Sequence, residues 1–272
     1  MINRPQFLCI GAQRAGTTWL HDCMSEHPSL FLPDNKEVHF FDENYENYEK
    51  GLDWYGGHFC EAGNRVVGEI TPNYYHNYRV LDKIKNDLPD IKIIFILREP
   101  ISRAYSQYQL YKQKYFKDLD FYEVINTNDG IKDHSLQGKY LRYISSVFPK
   151  ENLHVIYYDE INDRPDLVIK NVFSFVGVED SFVPESLGKR VNRVVFPDAQ
   201  DFLKKIGCTW LIEFIKKTPL AEKIKNIAHK HKKENIYGEL KDSVKDEFLK
   251  DIEVIESIQK KDLSAWKCKL KS

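Results

Sequence analysis

The sequence predicts an α/β fold: a central, mostly parallel sheet flanked by helices, with a helical C-terminal part. Two observations carry this. Short apolar runs alternate with longer stretches of helical spacing, the order of βαβ units. One run, IKIIFILRE from Ile91 to Glu99, is nearly continuous Ile, Phe and Leu, as expected of a strand buried on both faces of a parallel sheet. At 272 residues the chain can bury a full core, and a single domain over 1–272 is expected. Its α/β core would cover about 1–180, and a loop or lid with C-terminal helices about 185–272.

The elements follow in order. FLCIG (Phe7–Gly11) reads as a buried strand, and TTWLHDCMSEH after it as a helix ended by Pro28. Arg65–Ile70 is the next strand, then Ile91–Glu99, then Leu153–Tyr158. Helical segments lie between them, around Tyr78–Leu88, Ile101–Lys114, Ser135–Phe148 and Pro165–Val176. From about Asp198 to Trp266 the chain is Lys- and Glu-rich with helical spacing, which suggests helices packed on the sheet and a candidate lid. In the Tyr-rich stretch after Phe41, the helical spacing of Trp54, Tyr55 and Phe59 favours core residues over a carbohydrate-contacting surface.

Composition narrows the partners. Hydrophobic residues at 42%, charged residues at 30% and a net charge of -1 describe an ordinary globular chain with no global pull toward nucleic acid or membrane. Any anion site must be local. The five cysteines are scattered without a metal-ligand spacing, which fits reduced thiols. No signal peptide or membrane anchor is visible at the start, so a cytoplasmic protein is expected. HKHKK (His229–Lys233) offers two histidines, but the flanking lysines repel cations, and no metal is expected. Nothing in the sequence sets an oligomeric state.

The chemistry starts in GAQRAGTTWL (Gly11–Leu20). Gly11 and Gly16 have the spacing of a P-loop, yet Thr17 stands where that loop carries lysine. Strand, glycine turn and helix start nevertheless make an anion site: the free helix N–H groups point outward and the Thr17 and Thr18 hydroxyls add donors. Arg14 can supply the missing charge from within the turn. Without the lysine, and with no evident acidic metal ligand at a strand end, the site looks built for a nucleotide handled without a metal.

Here the chain resembles a known family. R-x-G-T-T-W-L looks like the 5'-phosphosulfate loop of sulfotransferases that use 3'-phosphoadenosine 5'-phosphosulfate (PAPS), usually K-x-G-T-T-x-L, with Arg14 at the lysine position. The resemblance implies that Arg14, Ala15, Gly16, Thr17, Thr18 and Trp19 hold the cofactor, whose product form is 3'-phosphoadenosine 5'-phosphate (PAP). IFILREPISRAYSQY (Ile94–Tyr108) carries Arg98 and Ser106 at the separation of the family's 3'-phosphate ligands. The alternative for Arg98 is a structural ion pair with Glu99 or Asp159.

NKEVHFFD (Asn35–Asp42) is similar to the K-E-x-H-F-F-D segment of the glucosaminyl 3-O-sulfotransferases, the closest branch by motif. It implies Glu37 as catalytic base and His39 as sulfonate ligand, orienting group or fallback base, with Lys36 and Asp42 on the acceptor side. In an extended segment Glu37 and His39 would share one face; the bland alternative is a solvated loop whose aromatics plug the core. VGEITPNYYH (Val67–His76) resembles the family's E-K-[TS]-P-x-Y, with Ile70 in place of the lysine and with Thr71, Tyr74 and Tyr75 lining an acceptor cleft. Lys189, Arg190 and Arg193 are phosphate contacts by position, or a solvated basic loop. The implied activity is in-line sulfuryl transfer to a hydroxyl, or an amine, of a saccharide or small-metabolite acceptor. A P-loop kinase of a small substrate and a non-catalytic nucleotide-binding protein are the alternatives.

Overall fold

In a computed structural model, residues 4–127, 129–188 and 236–271 are described. Five strands form one sheet: β1 (Phe7–Gly11), β2 (Leu30–Phe31), β3 (Val66–Ile70), β4 (Lys92–Leu97) and β5 (Leu153–Tyr157). Their order is β2-β3-β1-β4-β5, and every pairing is parallel. The apolar runs dictate this: β1 is buried at all five positions, so it can only be central. Gly68 of β3 sits opposite Phe7, where a side chain would come within 1.9 Å of the Phe7 ring. β1 lies between β3 and β4, so the strand order reverses at it, and the carboxyl ends of these strands are where open α/β sheets place their ligands.

Helices cover the sheet: α1 (Thr17–Ser25), α2 (Gly51–Gly57), α3 (Tyr78–Asp87), α4 (Pro100–Tyr115), α5 (Phe121–Thr127), α6 (Asp129–Ser135), α7 (Gln137–Val147), α8 (Tyr158–Asp163) and α9 (Pro165–Val176). After residue 235 come α10 (Asp242–Gln259) and α11 (Ser264–Lys271). Pro100 opens α4, and the Glu99 carboxylate caps it by accepting from Ile101 N at 3.1 Å and Ser102 N at 2.7 Å. α10 buries Val244, Phe248, Ile252 and Ile255 and packs on α7. Its anchor is therefore a helix, where the spacing suggested the sheet.

The four expected strands and the helices around 78–88, 101–114 and 165–176 are present. β2 escapes sequence reading because two residues cannot show a period. The stretch read as one helix from Ser135 divides at Leu136 into α6 and α7. Tyr55 and Phe59 are fully buried and Trp54 packs against the core, as their spacing suggested. By contact the chain divides into two units, Met1–Lys189 with Ile236–Ser272, and Arg190–Asn235. The second unit lies outside the described residues, as do the candidate phosphate contacts Lys189, Arg190 and Arg193.

Candidate functional site

The loop after β1 turns sharply. Arg14 has φ 71° and Gly16 φ 102°, two left-handed positions on either side of Ala15, which is buried. Gly16 occupies the N-cap of α1 and supplies no side-chain cap, and the first turn carries no acid. The first amides of α1 are thus left for a ligand, with the helix dipole behind them. Thr17 is buried and Thr18 exposed. Trp19 is buried, and its indole N–H donates to Leu187 O at 3.2 Å, so its ring is committed to packing.

Three of the expected cofactor residues converge on this turn. Arg14 Nε donates to Ser106 Oγ at 3.1 Å, and Arg98 Nη1 donates to the Arg14 carbonyl at 2.5 Å. The Arg98 guanidinium also lies over the Tyr158 ring, 4.4 Å from its centroid. Of the two acids expected beside it, Glu99 caps α4, and Asp159 accepts from the Trp266 indole at 2.7 Å. Ser106 and Arg98 lie 92 and 84 residues from Arg14, yet β4 and β1 are neighbours, so their following segments meet at one edge. Desolvation and the nearby Arg103 guanidinium lower the proton affinity of Arg14.

The second cluster lies in Lys36–Asp42. Lys36 Nζ donates to Glu37 Oε1 at 3.0 Å, His39 Nε2 stands 3.4 Å from Glu37 Oε2, and His39 Nδ1 stands 3.2 Å from Asp42 Oδ2. Glu37 and His39 do meet, but not through an extended strand: His39 has φ 54° and the segment folds back on itself. Tyr45 stacks on the imidazole at 3.9 Å and an interplanar angle of 8°. Asp42 is fixed further by Asn73 Nδ2 at 3.1 Å and by the Asn44 backbone and side chain.

The electrostatics follow from this pairing. Burial opposes charge on His39, but bonds from both carboxylates overcome it and raise its pKa to about 9. Burial likewise disfavours the Asp42 anion, yet the His39 and Asn73 bonds pull its pKa down to about 2. Glu37 is lowered in the same way by His39 and Lys36, against its burial. At neutral pH the cluster is therefore a carboxylate, an imidazolium and a second carboxylate. Its fields reach α1, where Lys36 and Glu37 both perturb His21, although burial is the main cause of that group's lowered pKa. The cluster is tied to β1, which leads into the glycine turn: His39 N donates to Thr71 Oγ1 at 3.5 Å, and Thr71 N donates to the Cys9 carbonyl at 3.1 Å.

Thr71 and Tyr74, expected to line an acceptor cleft, are fully buried and do something else. The hydroxyls of Thr71, Tyr74 and Tyr55 all donate to the carboxylate of Glu69. Thr71 Oγ1 then accepts from His39 N at 3.5 Å, and Tyr74 Oη accepts from Phe41 N at 3.4 Å. Glu69 is the floor on which the His39–Phe41 backbone rests. Burial raises its pKa and the three hydroxyls work against that rise. Tyr75 is also buried, its hydroxyl donating to His134 O at 2.6 Å. Ile70 is fully buried and brings no charge to the site. The signal for Glu69 was an acid inside an apolar strand, which needs partners wherever it occurs.

A second buried charge belongs to a helical face. Arg103 shares the buried side of α4 with Pro100, Ala104 and Gln107. It is fully buried, Nη1 donates to Ser135 Oγ at 2.8 Å, and Nε and Nη2 have no hydrogen-bond partner among the described residues. His76 and His134 stack nearby at 3.9 Å. Burial lowers both pKa values, to about 4 and about 3, and Arg103 lowers them further.

A parallel sheet whose carboxyl edge carries a glycine turn, an uncapped helix start and two converging arginines defines a P-loop-like α/β protein of the anion-binding class. The chain belongs to the sulfotransferase domain family, whose pattern matches residues 4–203. It is 34% identical over 198 residues to the mouse bifunctional heparan sulfate N-deacetylase/N-sulfotransferase 4, covering 64% of this chain and 22% of that protein. It is 30% identical over 174 residues to the human heparan sulfate glucosamine 3-O-sulfotransferase 5, covering 59% of this chain and 50% of that one. The chain thus spans between about a fifth and a half of the length of these relatives. A solved sulfotransferase from Alicyclobacillus acidocaldarius has the same fold, with a TM-score of 0.69 at 23% identity over 97% of this chain and 99% of that one.

Proposed function

We propose that this chain transfers a sulfuryl group from PAPS to a hydroxyl, or alternatively an amine, of a saccharide acceptor. The observation that carries the reading is the meeting of Arg14, Arg98 and Ser106 at the uncapped start of α1, beside the Glu37–His39–Asp42 cluster. Those residues fit the donor chemically: the α1 amides and Arg14 suit a phosphosulfate, and Arg98 with Ser106 suits a second phosphate. PAPS, when bound, supplies the sulfuryl group.

Glu37 takes the acceptor proton as general base. Its lowered pKa keeps it ionised across the neutral range, and Lys36 and His39 fix its orientation. His39 already carries a proton at neutral pH, so it serves as donor and orienting group rather than as the base. Arg14 and the amides of Gly16–Thr18 neutralise charge on the transferring group and its leaving oxygen. Lys36 and Asp42 border the acceptor. A saccharide is favoured by the likeness to two kinds of heparan sulfate enzyme. Scattered cysteines favour the cytoplasm as its compartment; among the described residues no helix is long and apolar enough to cross a membrane.

Calorimetric titration with PAP, ADP and Mg-ATP, on wild type and Arg98→Ala, tests the cofactor. Selective PAP binding that Arg98→Ala weakens is expected, whereas preference for Mg-ATP would turn the reading toward a kinase. Transfer of labelled sulfate from PAPS to glucosamine-containing oligosaccharides tests the activity. Glu37→Gln should lower kcat by roughly 10²–10⁴, and near-normal turnover in that variant would remove Glu37 as the base.

A further inference from the structure

The backbone of Arg98 leaves the sheet one residue after β4 ends, beyond the last pairing of Leu97 with Tyr157. An arginine just past a strand end keeps one direction only if its backbone N–H and C=O are held. The side-chain amide of Gln137 bonds both groups. Its Oε1 accepts from Arg98 N at 3.0 Å, and its Nε2 donates to Arg98 O at 2.6 Å. Gln137 is fully buried, so water does not compete for these bonds.

Gln137 is itself held from far along the chain. It is the first residue of α7, whose N-cap residue Leu136 offers no side-chain cap. The cap comes from α10 instead: the Asp251 carboxylate accepts from Gly138 N at 2.7 Å and from Lys139 N at 2.8 Å. Gly138 allows the approach, since a Cβ there would lie 2.2 Å from the Asp251 carbonyl oxygen. Arg98, Gln137 and Asp251 thus form a continuous chain from the turn after β1 to α10.

We propose that Gln137 is the positioning residue for Arg98, and that Asp251 of α10 holds Gln137 in place, so that preference for a 3'-phosphate depends on a contact made by α10. The inference rests on Arg98 as a 3'-phosphate ligand. A structural role alone would stabilise the fold without distinguishing nucleotides. A positioning role affects the 3'-phosphate and spares the 5' side, which is bound by the α1 amides and Arg14.

The test is the ratio of affinities for PAP and for adenosine 5'-monophosphate, which lacks the 3'-phosphate, measured by calorimetry on the full chain. Gln137→Met should lower the ratio by roughly tenfold or more while the monophosphate affinity stays near wild type. Asp251→Asn, remote from the nucleotide, should lower it in the same direction by a smaller factor, and it carries the test if Gln137→Met does not fold. Combining Gln137→Met with Arg98→Ala should add nothing to Arg98→Ala alone. An unchanged ratio, or equal losses for both nucleotides, overturns the positioning role. If Arg98→Ala itself leaves the ratio unchanged, the assignment of Arg98 has failed first, and that result is separate from one in which Arg98→Ala acts and Gln137→Met does not.

Discussion

His39 Nδ1 stands 3.2 Å from Asp42 Oδ2, and this contact orients the ring so that Nε2 faces Glu37. Asp42 therefore acts on the base through the imidazole. Asp42→Asn should let the His39 pKa fall from about 9 toward its ordinary 6.5, visible by NMR titration of the ring. With the ring less firmly held, kcat/KM should drop by roughly tenfold. An unmoved His39 titration would show that Glu37 alone sustains the imidazolium.

The same cluster makes stability depend on pH in two directions. His39 is raised to about 9, so its stabilisation is complete below the ordinary 6.5 and is lost as pH rises through about 9. Asp42 is depressed to about 2, so its stabilisation is present above the ordinary 3.8 and is lost as pH falls through about 2. The difference in Tm between wild type and His39→Gln should be largest between these windows, at about pH 4 to 6.5. A difference that grows toward pH 9 would contradict the pairing.

Glu69→Gln exchanges a carboxylate that accepts from three hydroxyls for an amide that places an N–H₂ among donors. Unfolding in denaturant should show a loss of about 1–3 kcal/mol. Turnover should fall as well, because Thr71 and Tyr74 lose the anchor through which they hold the His39–Phe41 backbone. Normal turnover with reduced stability would mean that this floor serves packing alone.

Arg103→Met replaces a fully buried cation, two of whose nitrogens lack partners among the described residues, with an apolar side chain of similar length. The ligand-free protein should become more stable, by about 1–4 kcal/mol, since burying such a charge is costly. The pKa of His76 and His134 should rise, because one cause of their lowering is removed. A fall in Tm would mean that the bond to Ser135 outweighs the desolvation of the guanidinium.

Much of the site was legible because it is local. Gly11 to Trp19 builds its turn within nine residues, and Lys36 to Asp42 brings four charged groups together within seven, so motif and geometry coincide. The reading failed where burial, which a linear pattern does not reveal, decides what a polar group touches. Thr71 and Tyr74 looked like cleft residues because hydroxyls and rings suit sugars; in the fold their hydroxyls turn inward to Glu69. His39 was expected on an extended segment and instead adopts φ 54°, which its ties to Asp42 and Thr71 hold in place.

The sequence by itself determined the parallel α/β sheet, the glycine turn after β1 and the identity of the charged cluster. Each depends on residues near one another along the chain, where apolar runs and glycine spacing act directly on backbone conformation. Only the tertiary structure decided how those parts are held. Gln137 reaches Arg98 across 39 residues and Asp251 reaches Gly138 across 113, contacts that exist because β4, α7 and α10 bury their apolar faces together. The burial of those faces is non-directional and fixes no polar pairing in the linear sequence; once it is satisfied, the buried amide and carboxylate must find partners, and the backbone groups of Arg98, Gly138 and Lys139 are the ones within reach.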